Sequence, residues 1–212
     1  MKGRIAGLYA VTPDESDTTL LAEKVRLALS GGARLVQYRN KTAGTDLKRA
    51  HCQSLLALCR KASAVFIVND DLELALQCGA DGVHLGAEDG DLATARRRLG
   101  NDRLLGASCY DRLALALDAA RAGADYVAFG SVFGSVTKPG VVRAPLSLFS
   151  QARRQIDLPL VAIGGISVQN AGEVFGAGAD AVAVISDLFD AIDIRARAGE
   201  FSRLHQQMQA QQ

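Results

Sequence analysis

Gln37-Tyr38-Arg39-Asn40-Lys41 sets two cations two positions apart, so an extended backbone turns both toward one side, where they can hold an anion together. A third cation, Lys138, ends Gly134-Ser135-Val136-Thr137-Lys138, whose Ser135 and Thr137 add hydroxyl donors. Asp70 and Asp89 each follow an apolar run, and together they offer the one or two carboxylates that magnesium takes beside water and phosphate oxygens. Helix capping accounts for Asp71, Asp91 and Asp111, each set before a helical run. Asp70 comes one residue too early for that role, and Gly90 separates Asp89 from its helix. Gly164-Gly165 and Ser186 suit a phosphate cup, since glycines let backbone N–H groups approach an anion and serine adds a hydroxyl. The plainer reading of the glycine pair is a tight turn. His84 ends an apolar run, where it either touches a ligand or hydrogen-bonds beneath one. Tyr38 alternates with Gln37 and Arg39 and is read as packing. Cys52, Cys59 and His51 lie within one helical stretch and His205 near the end, so zinc ligation is not indicated.

Residues so scattered work together only if the fold gathers them, and an internal repeat shows how. Gly-Ala-x-x-Val occurs at Gly32, Gly79, Gly123 and Gly178, in steps of 47, 44 and 55 residues. Each glycine suits the residue that ends a helix in a left-handed turn, and each valine begins an apolar strand. Three further apolar runs lie between the copies, and Ile5 to Val11 precedes them. Strands are therefore expected near 5–11, 34–39, 65–69, 82–85, 103–108, 126–130, 159–163 and 181–185. Amphipathic helices fall between them; in the first, Leu21, Val25, Ala28 and Leu29 share a stripe away from Glu23, Lys24 and Arg26. Eight apolar strands alternating with helices predict an α/β fold, a single (β/α)8 TIM barrel. The rival open sheet is disfavoured because no G-x-G-x-x-G follows the first strand. In such a barrel the chemistry sits beyond the C-terminal ends of the strands, where the candidate anion, phosphate and magnesium residues named above fall.

The 212 residues, 49% hydrophobic, are expected to form one domain, with a polar tail from His205 to Gln212 that frays. Twenty-four basic residues against 23 acidic ones leave a net charge of +1, which provides no footprint for nucleic acid or an anionic membrane. No run approaches the ~20 apolar residues of a membrane span, and the N-terminus does not read as a signal peptide. Four scattered cysteines without a C-x-x-C pair suit a reducing compartment, so a cytoplasmic location is expected.

Taken in order, these motifs resemble the thiamine-phosphate synthase (thiamine-phosphate pyrophosphorylase) family. They are Leu8-Tyr9-Ala10-Val11-Thr12, Gln37-x-Arg39-x-Lys41, Asn69-Asp70-Asp71, Gly82-Val83-His84-Leu85-Gly86-x-x-Asp89, Gly106-x-Ser108, the Gly130 to Lys138 loop, Ile163-Gly164-Gly165-Ile166 and Val184-Ile185-Ser186. The resemblance implies condensation of hydroxymethylpyrimidine diphosphate with hydroxyethylthiazole phosphate, giving thiamine phosphate and diphosphate. It implies that Gln37, Asn69 and Ser108 hold the aminopyrimidine, that Arg39, Lys41 and Lys138 grip the diphosphate, and that Asp70 and Asp89 carry Mg2+. Ser135, Thr137, Gly165, Ile185 and Ser186 would take the thiazole phosphate, and Arg39, Lys41, Lys138 and Ser108 are the catalytic set. The partners implied are these small molecules; a homodimer is compatible with the reading. Ala87, Gly134, Ser135 and Tyr110 depart from the usual family pattern of Gln, Pro, Thr and His. Three alternatives are a thiazole tautomerase of the same superfamily, a non-catalytic binding protein for pathway intermediates, and a sugar-phosphate isomerase or aldolase. Tyr110 in place of the tautomerase histidine argues against the first, the full set of carboxylates and cations against the second, and the lack of a lysine within any strand against the third.

Overall fold

Eight short and mostly buried apolar runs pair in parallel and in chain order, and the last returns to the first to close the barrel. They are β1 (Gly7–Val11), β2 (Leu35–Tyr38), β3 (Val65–Asn69), β4 (Gly82–Leu85), β5 (Leu104–Tyr110), β6 (Tyr126–Phe129), β7 (Leu160–Ile163) and β8 (Ala181–Val184). The computed structural model describes residues 5–134 and 143–210. Around the strands run α1 (Thr18–Ser30), α2 (Thr45–Lys61), α3 (Leu72–Cys78), α4 (Leu92–Leu99), α5 (Leu113–Arg121), α6 (Ser147–Arg153), α7 (Val168–Gly176), α8 (Ser186–Phe189) and α9 (Ile194–Gln209). The (β/α)8 TIM barrel expected from the repeat is thus the observed fold, and the stripe of Leu21, Val25, Ala28 and Leu29 is the buried face of α1.

The repeat has a physical role at the barrel's N-terminal rim. Gly32, Gly79, Gly123 and Gly178 all have positive φ, from +71° to +112°, which ends each helix without a Cβ clash. In three copies the next-but-one residue is an aspartate that locks the neighbouring strand. Asp81, Asp125 and Asp180 accept the backbone N–H of Phe66, Leu105 and Leu160 at 2.8, 2.8 and 2.7 Å. Their own N–H groups donate back to the carbonyl oxygens of the same three residues. Arg96 and Arg153 also pair with Asp125 and Asp180. Each of these three copies therefore registers an even strand against the odd one before it. Arg34 stands in place of the aspartate in the first copy and instead bonds the carbonyl oxygens of Leu29 and Ala33.

Alternation along the strands separates two cores. Leu8, Val36, Phe66, Val83, Leu105 and Val127 face the helices. Tyr9, Leu35, Ile67, Leu104, Tyr126 and Val161 fill the barrel interior. Counting on by two from the interior residues brings Gln37, Asn69 and Ser108 to the inner face at the C-terminal mouth.

Two expectations are corrected. Residues 205–209 are not a frayed tail: α9 continues to Gln209 because Phe201 is buried, the His205 ring lies 5.1 Å from Phe175, and Met208 packs against the core. These contacts recur at helical spacing and hold the last turns down despite their glutamines. Asp71 and Asp91 cap α3 and α4 through their side chains as expected, but Asp111 does not cap α5, whose N-cap is Arg112.

Candidate active site

The mouth is floored by polar side chains that the inner face of the barrel buries together. Gln37 and His84 are only 5% and 6% exposed. Gln37 Nε2 donates to the Tyr9 hydroxyl at 2.9 Å, and the Tyr9 and Tyr126 hydroxyls are 2.8 Å apart. His84 Nδ1 lies 3.1 Å from the Tyr126 hydroxyl and Nε2 lies 2.9 Å from Ser108 Oγ. Burial pushes His84 down to about 4, so its imidazole is neutral near pH 7. Of the two readings of His84, the structure places it beneath the mouth, bonded to Ser108.

Above this floor the two carboxylates meet. Asp70 follows β3 with φ +64°, a conformation that aspartate tolerates better than most side chains, and its N–H donates to the His84 carbonyl oxygen at 2.8 Å. Asp89 Oδ2 accepts the Gly86 N–H at 2.7 Å. A Cβ at Gly86 would stand 2.9 Å from that oxygen, so the glycine makes room for the carboxylate. Burial, and then the Asp89 carboxyl that shares a hydrogen bond with it, push Asp70 up to about 6, while Lys41 and Arg39 pull it down. Two hard oxygen donors pressed together suit a small divalent cation that draws its other ligands from water and phosphate. Among the described residues no cluster of three or more His, Cys, Asp or Glu forms a closed metal site. Asn40, Lys41, Asn69, Asp70 and Asp89 border a cleft of about 610 Å³.

The segment that carries the cations after β2 is held by Thr12 and Asp14, to which the sequence alone assigns no role. Thr12, fully buried at the end of β1, accepts the Arg39 N–H through Oγ1 and donates to the Arg39 carbonyl oxygen, both at 2.9 Å. Asp14 Oδ1 receives the Arg39 guanidinium at 3.2 Å and the Lys41 N–H at 2.9 Å. Asn40 turns inward instead, donating to the Glu15 carbonyl oxygen at 2.6 Å and accepting the N–H groups of Thr42 and Ala43. The signal was present: Thr12 and Asp14 follow a strand, which is where barrel sites are built. Asp14→Ala frees Arg39 and unties the Lys41 loop. Steady-state kinetics are expected to show a higher KM for the anionic substrate, by at most about fivefold, because a half-exposed ion pair is worth only ~1 kcal/mol.

Across the mouth, Gly134, Gly164, Gly165, Ile185 and Ser186 border a second space of about 470 Å³. Gly164 and Gly165 have φ of +101° and +65°. Their Cβ atoms would come within 2.1 Å of Ser131 Oγ and 2.9 Å of the Gly134 carbonyl oxygen. Both glycines are therefore required for the turn and for its packing against residues 131–134, whatever the cup binds. Asp187 also borders this space, yet Arg197 and the Val168 N–H at 3.1 Å engage its carboxylate, which offsets its repulsion of an anion. Ser135, Thr137 and Lys138 lie outside the described residues.

Known proteins share this barrel and much of this sequence. The family model for thiamine monophosphate synthase matches residues 8–188. The thiamine-phosphate synthase of Aromatoleum aromaticum is 54% identical over 201 residues, covering 95% of this chain and 97% of its own. That of Chromobacterium violaceum is 56% identical over 198 residues, covering 93% and 95%. The solved thiamine phosphate pyrophosphorylase of Pyrococcus furiosus superposes with a TM-score of 0.86 at 36% identity, covering 96% of each chain. With the family model matching residues 8–188 and relatives 54% and 56% identical over 95% and 93% of the chain, this chain belongs to the thiamine monophosphate synthase family.

Proposed function

We propose that this protein is a transferase that condenses 4-amino-2-methyl-5-hydroxymethylpyrimidine diphosphate with 4-methyl-5-(2-hydroxyethyl)thiazole phosphate, yielding thiamine phosphate and diphosphate. One observation carries the reading: Arg39, Lys41 and the Asp70–Asp89 pair converge on one side of the mouth, facing a glycine-lined cup across it. That is the layout for two phosphorylated reactants meeting over the barrel axis.

The chemistry asks for little beyond electrostatics and placement. The C–O bond from the pyrimidine methylene to the diphosphate breaks, and the electron pair leaves with the diphosphate oxygen. The electron-rich aminopyrimidine stabilises the cation left behind, and the thiazole nitrogen attacks with its lone pair, so no strong base is needed. Arg39 and Lys41 take up the charge growing on the leaving group, and Lys138 joins them in this proposal. Asp70 and Asp89 would hold magnesium, which when bound offsets charge on the diphosphate oxygens. Gln37, Asn69 and Ser108 orient the pyrimidine ring from the inner face. Gly165, Ile185 and Ser186, with Ser135 and Thr137, seat the thiazole phosphate.

We read the whole chain as one domain acting in the cytoplasm. Four cysteines without a disulfide support that setting, and among the described residues no helix is long and apolar enough to cross a membrane.

The direct test mixes both substrates with magnesium and measures diphosphate release. Release that requires the thiazole phosphate and the metal is the expected result. Tight binding of both substrates without turnover would make the protein a carrier and end the proposal.

A further inference from the structure

Five side chains from five strands form one unbroken hydrogen-bonded chain across the barrel floor. It runs from Gln37 on β2 through Tyr9 on β1, Tyr126 on β6 and His84 on β4 to Ser108 on β5, with links of 2.9, 2.8, 3.1 and 2.9 Å. Tyr9 and Tyr126 are 1% and 0% exposed, so water has no share in their hydroxyls and each must use its one proton within the chain.

That constraint gives the chain a direction. The structure turns Gln37 Nε2, a donor only, toward Tyr9. Tyr9 accepts there and must donate to Tyr126. Tyr126 has then accepted once, so its own proton goes to His84 Nδ1. A neutral imidazole that accepts at Nδ1 carries its proton on Nε2, which donates to Ser108 Oγ. Ser108 keeps its own proton free.

We propose that Tyr9, Tyr126 and His84 are positioning residues forming a polarised relay, anchored by the Gln37 amide, which presents Ser108 to the ligand as a hydrogen-bond donor. At the opposite end the Gln37 carbonyl oxygen is left as an acceptor. The two ends read a heterocycle that donates through an exocyclic amino group and accepts through an unprotonated ring nitrogen. An oxo analogue reverses both and leaves buried groups unpaired at each end. This substrate preference rests on the proposed function; the direction of the relay does not.

Gly106 is part of the device. It pairs with His84 on one side and Tyr126 on the other, and their rings lie 5.5 Å apart at 23° over it. A Cβ there would stand 2.1 Å from Tyr126 Cζ and 2.5 Å from His84 Nδ1.

The test is 15N NMR of the full-length chain labelled at histidine, with His51 and His205 assigned by substitution. The expected result is His84 protonated at Nε2 with Nδ1 bare. An Nδ1–H tautomer in the wild-type protein overturns the relay, and this readout requires no turnover. The second arm measures competition between the amino pyrimidine diphosphate and its oxo analogue. Tyr126→Phe, which cuts the relay, is expected to reduce the amino-over-oxo preference about tenfold while the KM for thiazole phosphate stays unchanged. A folded Tyr126→Phe with the wild-type preference overturns the specificity role. Where that variant fails to fold, the wild-type tautomer still decides the direction, and Tyr9→Phe takes its place in the competition arm.

Discussion

Asp70→Asn is expected to lower the proposed magnesium-dependent diphosphate release by about 100-fold or more while the barrel folds as well as before. Asparagine keeps the size of the side chain and tolerates the φ of +64° at this position, so the variant isolates the charge. Alanine would add backbone strain of ~1 kcal/mol and blur the result. The loss is expected in kcat, because a neutral amide beside Asp89 would no longer help hold the proposed ion that offsets charge on the departing diphosphate. Stability moves the other way. Burial and the Asp89 carboxyl already raise Asp70, so removing its charge relieves a repulsion in the folded state. An inactive variant that melts at or above the wild-type temperature is the combined signature. Turnover at the wild-type rate, with the same magnesium dependence, would remove the carboxylate pair from the mechanism.

Gly106→Ala is expected to lower the melting temperature by roughly 10 °C, from a cost near or above ~3 kcal/mol in a chain of this size. Overpacking usually relaxes by rotating a side chain, and here the obstructing atoms belong to two buried aromatic rings. Tyr126 cannot withdraw without losing Tyr9 and His84 as partners, and His84 cannot withdraw without losing Ser108. Backing away would therefore leave hydroxyls and an imidazole buried without hydrogen bonds, which adds to the steric cost. Differential scanning calorimetry measures the outcome. A melting temperature within about one degree of wild type would show that the floor is softer than its hydrogen bonding implies.

The repeat explains why so much of the architecture is legible without coordinates. A glycine that must turn left after a helix, an aspartate that must satisfy an N–H of the preceding strand, and a valine that must be buried are requirements met within one repeat, so they print directly into the chain. Strand ends fall within two residues of the runs expected from apolar pattern alone. The same local logic misleads at Asp111, where a plausible cap is bypassed, and at α9, where polar composition conceals packing against Phe175.

The sequence by itself determined the eight-stranded barrel and which polar residue types gather at the C-terminal ends of its strands, because periodicity and turn chemistry act over short distances. Only the tertiary structure decided which of those residues meet. The contact between the Asp70 and Asp89 carboxyls, the hold of Asp14 on Arg39, and the run of hydrogen bonds from Gln37 to Ser108 join segments 19 to 117 residues apart, through side chains whose partners depend on strand register and barrel closure. Their physical cause is burial: inside a closed ring of strands a polar group must find its partner across the barrel, and no local pattern says which partner that is.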